Sequence, residues 1–356
     1  MLLAASQSSF SNASFVTRLA VDRNVRVFAS KLAGRGEPIV GVRSPACSSA
    51  GDELRCRQGS SLPVYARNLA AGTYFVTVSG TSPMDVSLLL KTYPPTPTPA
   101  DQSCATAPPA VVNGDEPVDL NNHEDAIKDA CSAGQPNAAR SLTLAQASDV
   151  MVVGRFAQTV TGSVSLDGPA CDPGSVLACA NGTTPQRLTR RNVPAGDYRI
   201  VVSDTAGQLD QLTTLVRPTV PPTTVSSGDS CATAFAIPAT GGYFVGDTTG
   251  KTADFDNACD APGTPAGGAP DQVLRLDLAA QSRVVVNMDG SLYATILDVR
   301  AGATCPGQPV QNACYVGYSG PRSFLDLKLA AGTYWIIVDG FTEQKGAWAL
   351  DVRVLP

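Results

Sequence analysis

Apolar and polar residues alternate with a period of two through most of this chain, which is the signature of half-buried β-strands. The C-terminal third shows it best. Val273, Leu274, Leu276 and Leu278 lead into Arg283–Asn287. Ser291–Arg300 follows, then Ser323–Leu329, and Ala347–Val354 alternates to the end. The N-terminal third repeats the order with Phe15–Val21, Val25–Ala29, Pro38–Val42, Tyr74–Val78 and Val86–Leu90. No stretch carries the 3.6-residue period of an amphipathic helix. One short patch, Glu124–Cys131, has helix-like spacing and predicts a turn or two.

Three strands begin with the same phrase: Leu69-Ala70-Ala71-Gly72-Thr73-Tyr74, Val193-Pro194-Ala195-Gly196-Asp197-Tyr198 and Leu329-Ala330-Ala331-Gly332-Thr333-Tyr334. The apolar-x-x-Gly-x-Tyr pattern predicts a tyrosine corner. In such a corner the ring fills the edge of a sandwich core, the hydroxyl bonds back to the turn, and glycine stands where a side chain would obstruct it. The spacings, 124 and 136 residues, are far too long for a solenoid, so each repeat is a domain. Repeats two and three also share an opening, Ser103-Cys104-Ala105-Thr106-Ala107 and Ser230-Cys231-Ala232-Thr233-Ala234. Pro-rich stretches precede both. The expected organisation is all-β: three tandem jelly-roll or Greek-key β-sandwiches over residues 1–92, 101–217 and 228–356, with linkers at 93–100 and 218–227. The first is expected to be incomplete, because nothing before Phe15 corresponds to the opening segment. An open sandwich edge is a liability, so a protein partner or an upstream segment is expected to fill it.

Composition agrees with a turn-rich β protein, with 32 glycines, 27 prolines and only 16% charged residues. The net charge of −5 and the lack of any basic stripe exclude a nucleic-acid partner. The longest apolar run, near Tyr334–Val338, is far below the roughly 18 residues of a membrane span. Met1–Ser6 has no basic region and too short an apolar run for a signal peptide, so a mature or partial form, or a start further upstream, is expected. Ten cysteines fall into five local couples, and sequence proximity predicts the bridges Cys47–Cys56, Cys104–Cys131, Cys171–Cys179, Cys231–Cys259 and Cys305–Cys314. No C-x-x-C is present, so zinc is disfavoured, and disulfides at this density place the chain in an oxidising compartment.

Repeat three resembles the bacterial pre-peptidase C-terminal domain family. The resemblance rests on Gly267-Gly268-Ala269-Pro270-Asp271-Gln272-Val273-Leu274-Arg275-Leu276, Leu297-Asp298-Val299-Arg300, Cys314, and the run from Leu329 through Trp335-Ile336-Ile337-Val338-Asp339-Gly340. Repeat two departs from the pattern, with Asn137-Ala138-Ala139-Arg140 in place of Pro-Asp, and repeat one covers only its rear two-thirds. The resemblance implies a secreted jelly-roll-like sandwich used as a tandem appendage of exported bacterial proteins, with no shared catalytic residues.

Candidate chemistry is sparse. His123, the one histidine, lies among Asn121, Asn122, Glu124 and Asp125 and reads as a solvated loop residue. No Gly-x-Ser-x-Gly elbow or phosphate loop accompanies it, so no catalytic residue is assigned and the chain is not expected to be an enzyme. No cofactor is expected, with calcium as the exception to test at Asp247, Asp254, Asp256 and Asp260. A rougher acidic counterpart is Asp115, Glu116, Asp119, Glu124, Asp125 and Asp129. Against that stands ordinary turn chemistry, where aspartate is common anyway. Trp335 neighbours Tyr334, so alternation turns it to the other sheet face. There it would stack on a surface carbohydrate or lie under a neighbouring element. Asn12-Ala13-Ser14 and Asn181-Gly182-Thr183 are glycosylation sequons. The leading expectation is a non-catalytic secreted or cell-surface bacterial protein of binding and spacing modules. Alternatives are a structural subunit of an extracellular assembly, completed by strand addition from a neighbouring chain, and the auxiliary region of a secreted peptidase.

Overall fold

A computed structural model describes residues 2–3, 12–44, 46, 50–59, 63–80, 82–132, 134–158, 160–207, 209–257, 259–260, 268–317 and 322–356. They form three β-sandwiches in two compact units, residues 1–218 and 219–356. Among them no α-helix occurs, only short 3₁₀ turns. Among the described residues no helix is long and apolar enough to cross a membrane.

The first domain contains β1 (Leu2–Leu3), β2 (Asn12–Leu19), β3 (Arg23–Gly34), β4 (Pro38–Arg43), β5 (Glu53–Gln58), β6 (Pro63–Leu69), β7 (Gly72–Gly80) and β8 (Met84–Tyr93). The second contains β9 (Gly114–Asp119), β10 (Asn137–Leu144), β11 (Ser148–Arg155), β12 (Gly162–Asp167), β13 (Val176–Gly182), β14 (Gln186–Val193), β15 (Gly196–Asp204) and β16 (Leu209–Pro218). The third contains β17 (Pro222–Val225), β18 (Phe235–Ile237), β19 (Gly241–Asp247), β20 (Gln272–Leu278), β21 (Ser282–Asn287), β22 (Thr295–Ala301), β23 (Gln308–Gly317), β24 (Phe324–Leu329), β25 (Gly332–Gly340) and β26 (Ala347–Leu355).

The first domain pairs its strands β1-β8-β3-β6 and β2-β7-β4-β5, the two sheets of a jelly roll. The second repeats this as β14-β11-β16-β9 and β10-β15-β12-β13. The third adds one parallel strand to each sheet: β17 beside β19, and β18 beside β20. Each sandwich closes on its own apolar core, for example Val25, Val40, Val76 and Leu88 in the first, Val150, Val164, Ile200 and Leu212 in the second, and Leu274, Leu297, Ile336 and Leu350 in the third.

The three corners form as the sequence predicts. The hydroxyls of Tyr74, Tyr198 and Tyr334 donate to the carbonyls of Ala70, Pro194 and Ala330, each at 3.0 Å. Tyr74 and Tyr334 are buried and Tyr198 is half-buried. The role of glycine differs from the expectation. A Cβ on Gly196 or Gly332 would meet the tyrosine ring at 3.6–3.9 Å, ordinary contact, so obstruction is not the reason. Their φ values of +154° and +156° are, since side-chain-bearing residues rarely adopt them.

Four expectations are corrected. The stretch Glu124–Cys131 is not helical: the backbone N–H and C=O of Ile127 both bond the side chain of Asn137 in an irregular loop. The stretch 218–227 is not merely a linker, because Pro222–Val225 is strand β17. The linker 93–100 is pinned to the first domain, where Asn24 and Asn68 bond Thr96 and Arg67 bonds the carbonyl of Pro97. The first domain has jelly-roll order rather than missing strands, with β1 described over two residues and no described segment over the outer face of one sheet.

Candidate functional site: the outer faces of the sandwiches

Aligned on the corner tyrosines, the sheets β2-β7-β4-β5, β10-β15-β12-β13 and β20-β25-β22-β23 are equivalent. Their inner faces line the cores. On the outer faces, Phe75, Arg199 and Trp335 hold one position and Thr77, Val201 and Ile337 another. Cys56, Cys179 and Cys314 sit two strands away, opposite Gly41, Ser165 and Asp298.

In the second and third domains an opening segment lies over this face. It begins in the Ser-Cys-Ala-Thr turn: Thr106 N–H donates to the carbonyl of Ser103 at 3.2 Å and Thr233 N–H to that of Ser230 at 3.0 Å. Ser230 and Thr233 also cap the turn reciprocally. The turns deliver Cys104 and Cys231 to small outer clusters. One is Cys104, Ile127, Ala139, Cys171 and Val201. The other is Phe255, Val273, Trp335 and Ile337, with Cys231 and Cys305 against it. Trp335 is therefore only 5% exposed, its indole N–H donating to the carbonyl of Gly302 at 2.8 Å, and it offers no stacking platform. Arg199 donates to the carbonyl of Cys104 at 2.7 Å.

The disulfides overturn the pairing by proximity. They are Cys104–Cys171, Cys131–Cys179, Cys231–Cys305 and Cys259–Cys314, in place of Cys104–Cys131, Cys171–Cys179, Cys231–Cys259 and Cys305–Cys314. The physical reason is that Cys179 and Cys314 point outward from their strands toward the covering loop, away from Cys171 and Cys305 at the hairpin end. Each bridge thus staples the cover to the sheet. Cys56 is an exposed thiol with no bridge to any described residue; Cys47, its expected partner, lies outside the described residues, and so does the expected Cys47–Cys56 bridge. By equivalence the partner of Cys56 belongs in the loop between β1 and β2. That loop, residues 4–11, contains no cysteine and lies outside the described residues. Burial and then the neighbouring Glu53 carboxylate push the Cys56 thiol up. No described segment crosses the outer face of the first domain: Val16 is 56% exposed there, Ser14 is exposed, and Phe75 and Thr77 are half-buried.

His123 is not solvated. It is 5% exposed, with Nε2 2.8 Å from Asp101 Oδ1, and Arg140 bonds the other Asp101 oxygen at 2.8 Å and Glu116 at 2.7 Å. Burial raises the Asp101 carboxyl, but the hydrogen bonds and charges of His123 and Arg140 outweigh it and hold the group at about 2. Glu124 is also structural, pairing Arg55 at 2.8 Å and accepting the Arg67 N–H at 2.9 Å, which ties the first domain to the second.

The expected calcium ligands do not converge. Asp247 is exposed and accepts from Thr249 N–H at 2.7 Å, Asp254 bonds Thr252, and Asp256 is exposed. Among the described residues no three acidic, histidine or cysteine side chains gather at one point. Asp260 differs from the other three. Its Oδ2 accepts from the Asn257 N–H at 2.8 Å, while Oδ1 is buried without a partner. Sequence reasoning missed its neighbours, Asp271 and Asp339, both 0% exposed. They lie at the ends of β20 and β25, just beyond the pair Gln272–Val338. Burial raises Asp339 to about 8, helped by Asp271 and Asp260, and raises Asp271 to about 7.

In the second domain a cleft of about 670 Å³ is lined by Asp115, Glu116, Arg155, Phe156 and Asp210. Both carboxyl oxygens of Asp210 are buried without a partner, and burial, then Asp204, push it up to about 8.

No family model matches the chain. No curated protein matches it either. Among solved structures, the chain is 12% identical to the PBSX exported protein XepA, over 61% of this chain and 86% of that one, with a TM-score of 0.20. It is 7% identical to the CUB1-EGF-CUB2 region of human MASP-1/3, over 67% of this chain and 99% of that one, with a TM-score of 0.19. Likenesses this low carry no argument.

Proposed function

We propose that the chain is a non-catalytic run of binding and spacing modules from an exported or cell-surface protein of bacterial type. Two features support the reading. The disulfides belong to an oxidising compartment. The lone histidine serves as an internal strut of the second domain. One observation supports a second, more specific reading: the sheet face that is covered and bridged in domains two and three has no described segment over it in domain one, and it carries the exposed thiol of Cys56. In that reading the chain is a subunit of an extracellular assembly. The outer face of its first domain takes a cysteine-bearing segment of a neighbouring polypeptide, which pairs along the sandwich edge and bridges to Cys56. The bond forms by exchange. The Cys56 thiolate attacks a disulfide of the incoming segment, and the displaced sulfur leaves as a thiolate that takes up a proton, so no external oxidant is consumed.

Peptide mapping without reduction, on protein from its native source with thiols blocked at lysis, tests this. A Cys56 peptide linked to another polypeptide is the expected result. Quantitative alkylation of Cys56, or a bridge to Cys47, would overturn the assembly reading.

A further inference from the structure

We propose that the loop between β19 and β20 of the third domain is a calcium site: the carboxylates of Asp260 and Asp339, the backbone carbonyl of Phe255 and the side-chain carbonyl of Asn257 take one Ca²⁺ in the cradle left open by Gly268. Gly268 has φ +71°, and a Cβ there would lie 2.8 Å from Asp339 Oδ2, 3.2 Å from the Phe255 carbonyl oxygen and 3.7 Å from Asp260 Oδ2. Three oxygens, two from this loop and one from the end of β25, therefore surround the small volume that a Cβ on Gly268 would fill. Asn257 supplies the independent sign of a missing ligand. It is 7% exposed, and its Nδ2 donates to Asp339 Oδ2 and to the Phe255 carbonyl at 3.4 Å, while its Oδ1 has no partner. The amide thus bridges two of the oxygens a cation would bridge, and half a turn about its last bond presents the carbonyl oxygen instead.

The second domain is the internal control. Asn137 and Ser203 stand where Asp271 and Asp339 do, as neighbours across β10 and β15. The Asn137 amide donates to the Ile127 carbonyl at 2.9 Å, the Gln135 carbonyl at 3.2 Å and Asp125 Oδ1 at 3.3 Å. A neutral amide there gathers the oxygens that the third domain leaves to a cation. None of the described ion pairs reaches Asp260, Asp271 or Asp339. The donor set is all oxygen, with two carboxylates and two carbonyls. That suits Ca²⁺, which takes six to eight oxygens in irregular geometry with water completing the shell, better than Mg²⁺ with its strict octahedron. Zinc lacks any nitrogen or thiolate ligand here. The ion would tie the loop that carries Cys259 to the end of β25.

The experiment is calorimetric titration of the full chain with CaCl₂ after chelator treatment, with melting curves in calcium and in EGTA. One bound Ca²⁺ assignable to the third domain is expected, with a melting temperature that rises with free calcium. Asp260→Asn, at a half-buried loop position, should keep the fold and weaken affinity at least tenfold, as should Gly268→Ala. Asp247→Asn should leave it unchanged. Absence of binding at about 1–10 mM free Ca²⁺, beyond the weakest extracellular calcium modules, would overturn the proposal. So would affinity that survives both Asp260→Asn and Gly268→Ala, or equal competition by Mg²⁺.

Discussion

The outer face of one sheet is the same surface in all three domains, yet described segments build over it in two of them and none does in the first. In the third domain Trp335 has become interior, with Phe255, Ile337 and a disulfide around it. In the first domain the same position holds half-buried Phe75 beside exposed Val16. The inner faces barely differ, since each closes a jelly-roll core with a tyrosine corner. The comparison teaches that the sandwich and its cover are separable layers: β-alternation and the corner build the first, and two bridges per domain hold the second.

If that separation is right, removing a bridge should cost the covered domains most. Replacing Cys131 and Cys179 by alanine opens a 48-residue loop, worth about 4 kcal/mol in the chain-entropy account. Cys56→Ser should change the first domain by no more than about 0.5 kcal/mol. Chemical denaturation with domain-resolved hydrogen exchange reads both, and equal losses would erase the distinction. Next in size, Trp335→Ala should cost about 3–4 kcal/mol and Phe75→Ala clearly less, because only the first is enclosed. Similar losses would mean that the first domain's face is also covered. The corners should behave alike beneath the difference. Tyr74→Phe and Tyr334→Phe should each cost about 1 kcal/mol, and half-buried Tyr198→Phe less.

Last is a tilt of stability with pH, carried by the second domain and shared on its neutral side by Asp271 and Asp339 of the third. Asp101, with an ordinary value of 3.8 held at about 2 in the fold, stabilises fully above 3.8 and loses that contribution as pH falls toward 2. Asp210 and Asp167, raised to about 8 and about 7, act the other way, so stability rises as pH falls from 8 toward 4. Thermal melts should therefore peak near pH 4. Asp210→Asn should flatten the neutral limb and Asp101→Asn the acid one. A melting temperature that climbs steadily from pH 4 to 8 would contradict both assignments.

Local periodicity made the strands and corners legible, because each is decided by residues within one strand and its turn. The bridges were not, because near neighbours such as Cys171 and Cys179 look like partners until one asks which way a strand points its side chain. The decisive signal was present. Cys179 and Cys314 occupy outward positions, and Cys104 and Cys131 enter the chain together with Cys231 and Cys259 as their counterparts. Asp271 and Asp339 lie far apart in the sequence and meet only across β20 and β25, so each reads alone as a turn residue. His123 looked solvated because every near neighbour is polar, while Asp101 and Arg140, which bury it, come from elsewhere in the domain.

The bridges also interleave. Cys104–Cys171 and Cys131–Cys179 overlap along the chain, as do Cys231–Cys305 and Cys259–Cys314. If the chain is exported, as proposed, it would present Cys104 and Cys131 to an oxidant before Cys171 and Cys179 arrive. First-come oxidation would then join the wrong couples, and the native ones would form once the sheet had brought distant thiols together. On that route, maturation of each covered domain would need a catalyst that reshuffles bonds as well as one that makes them.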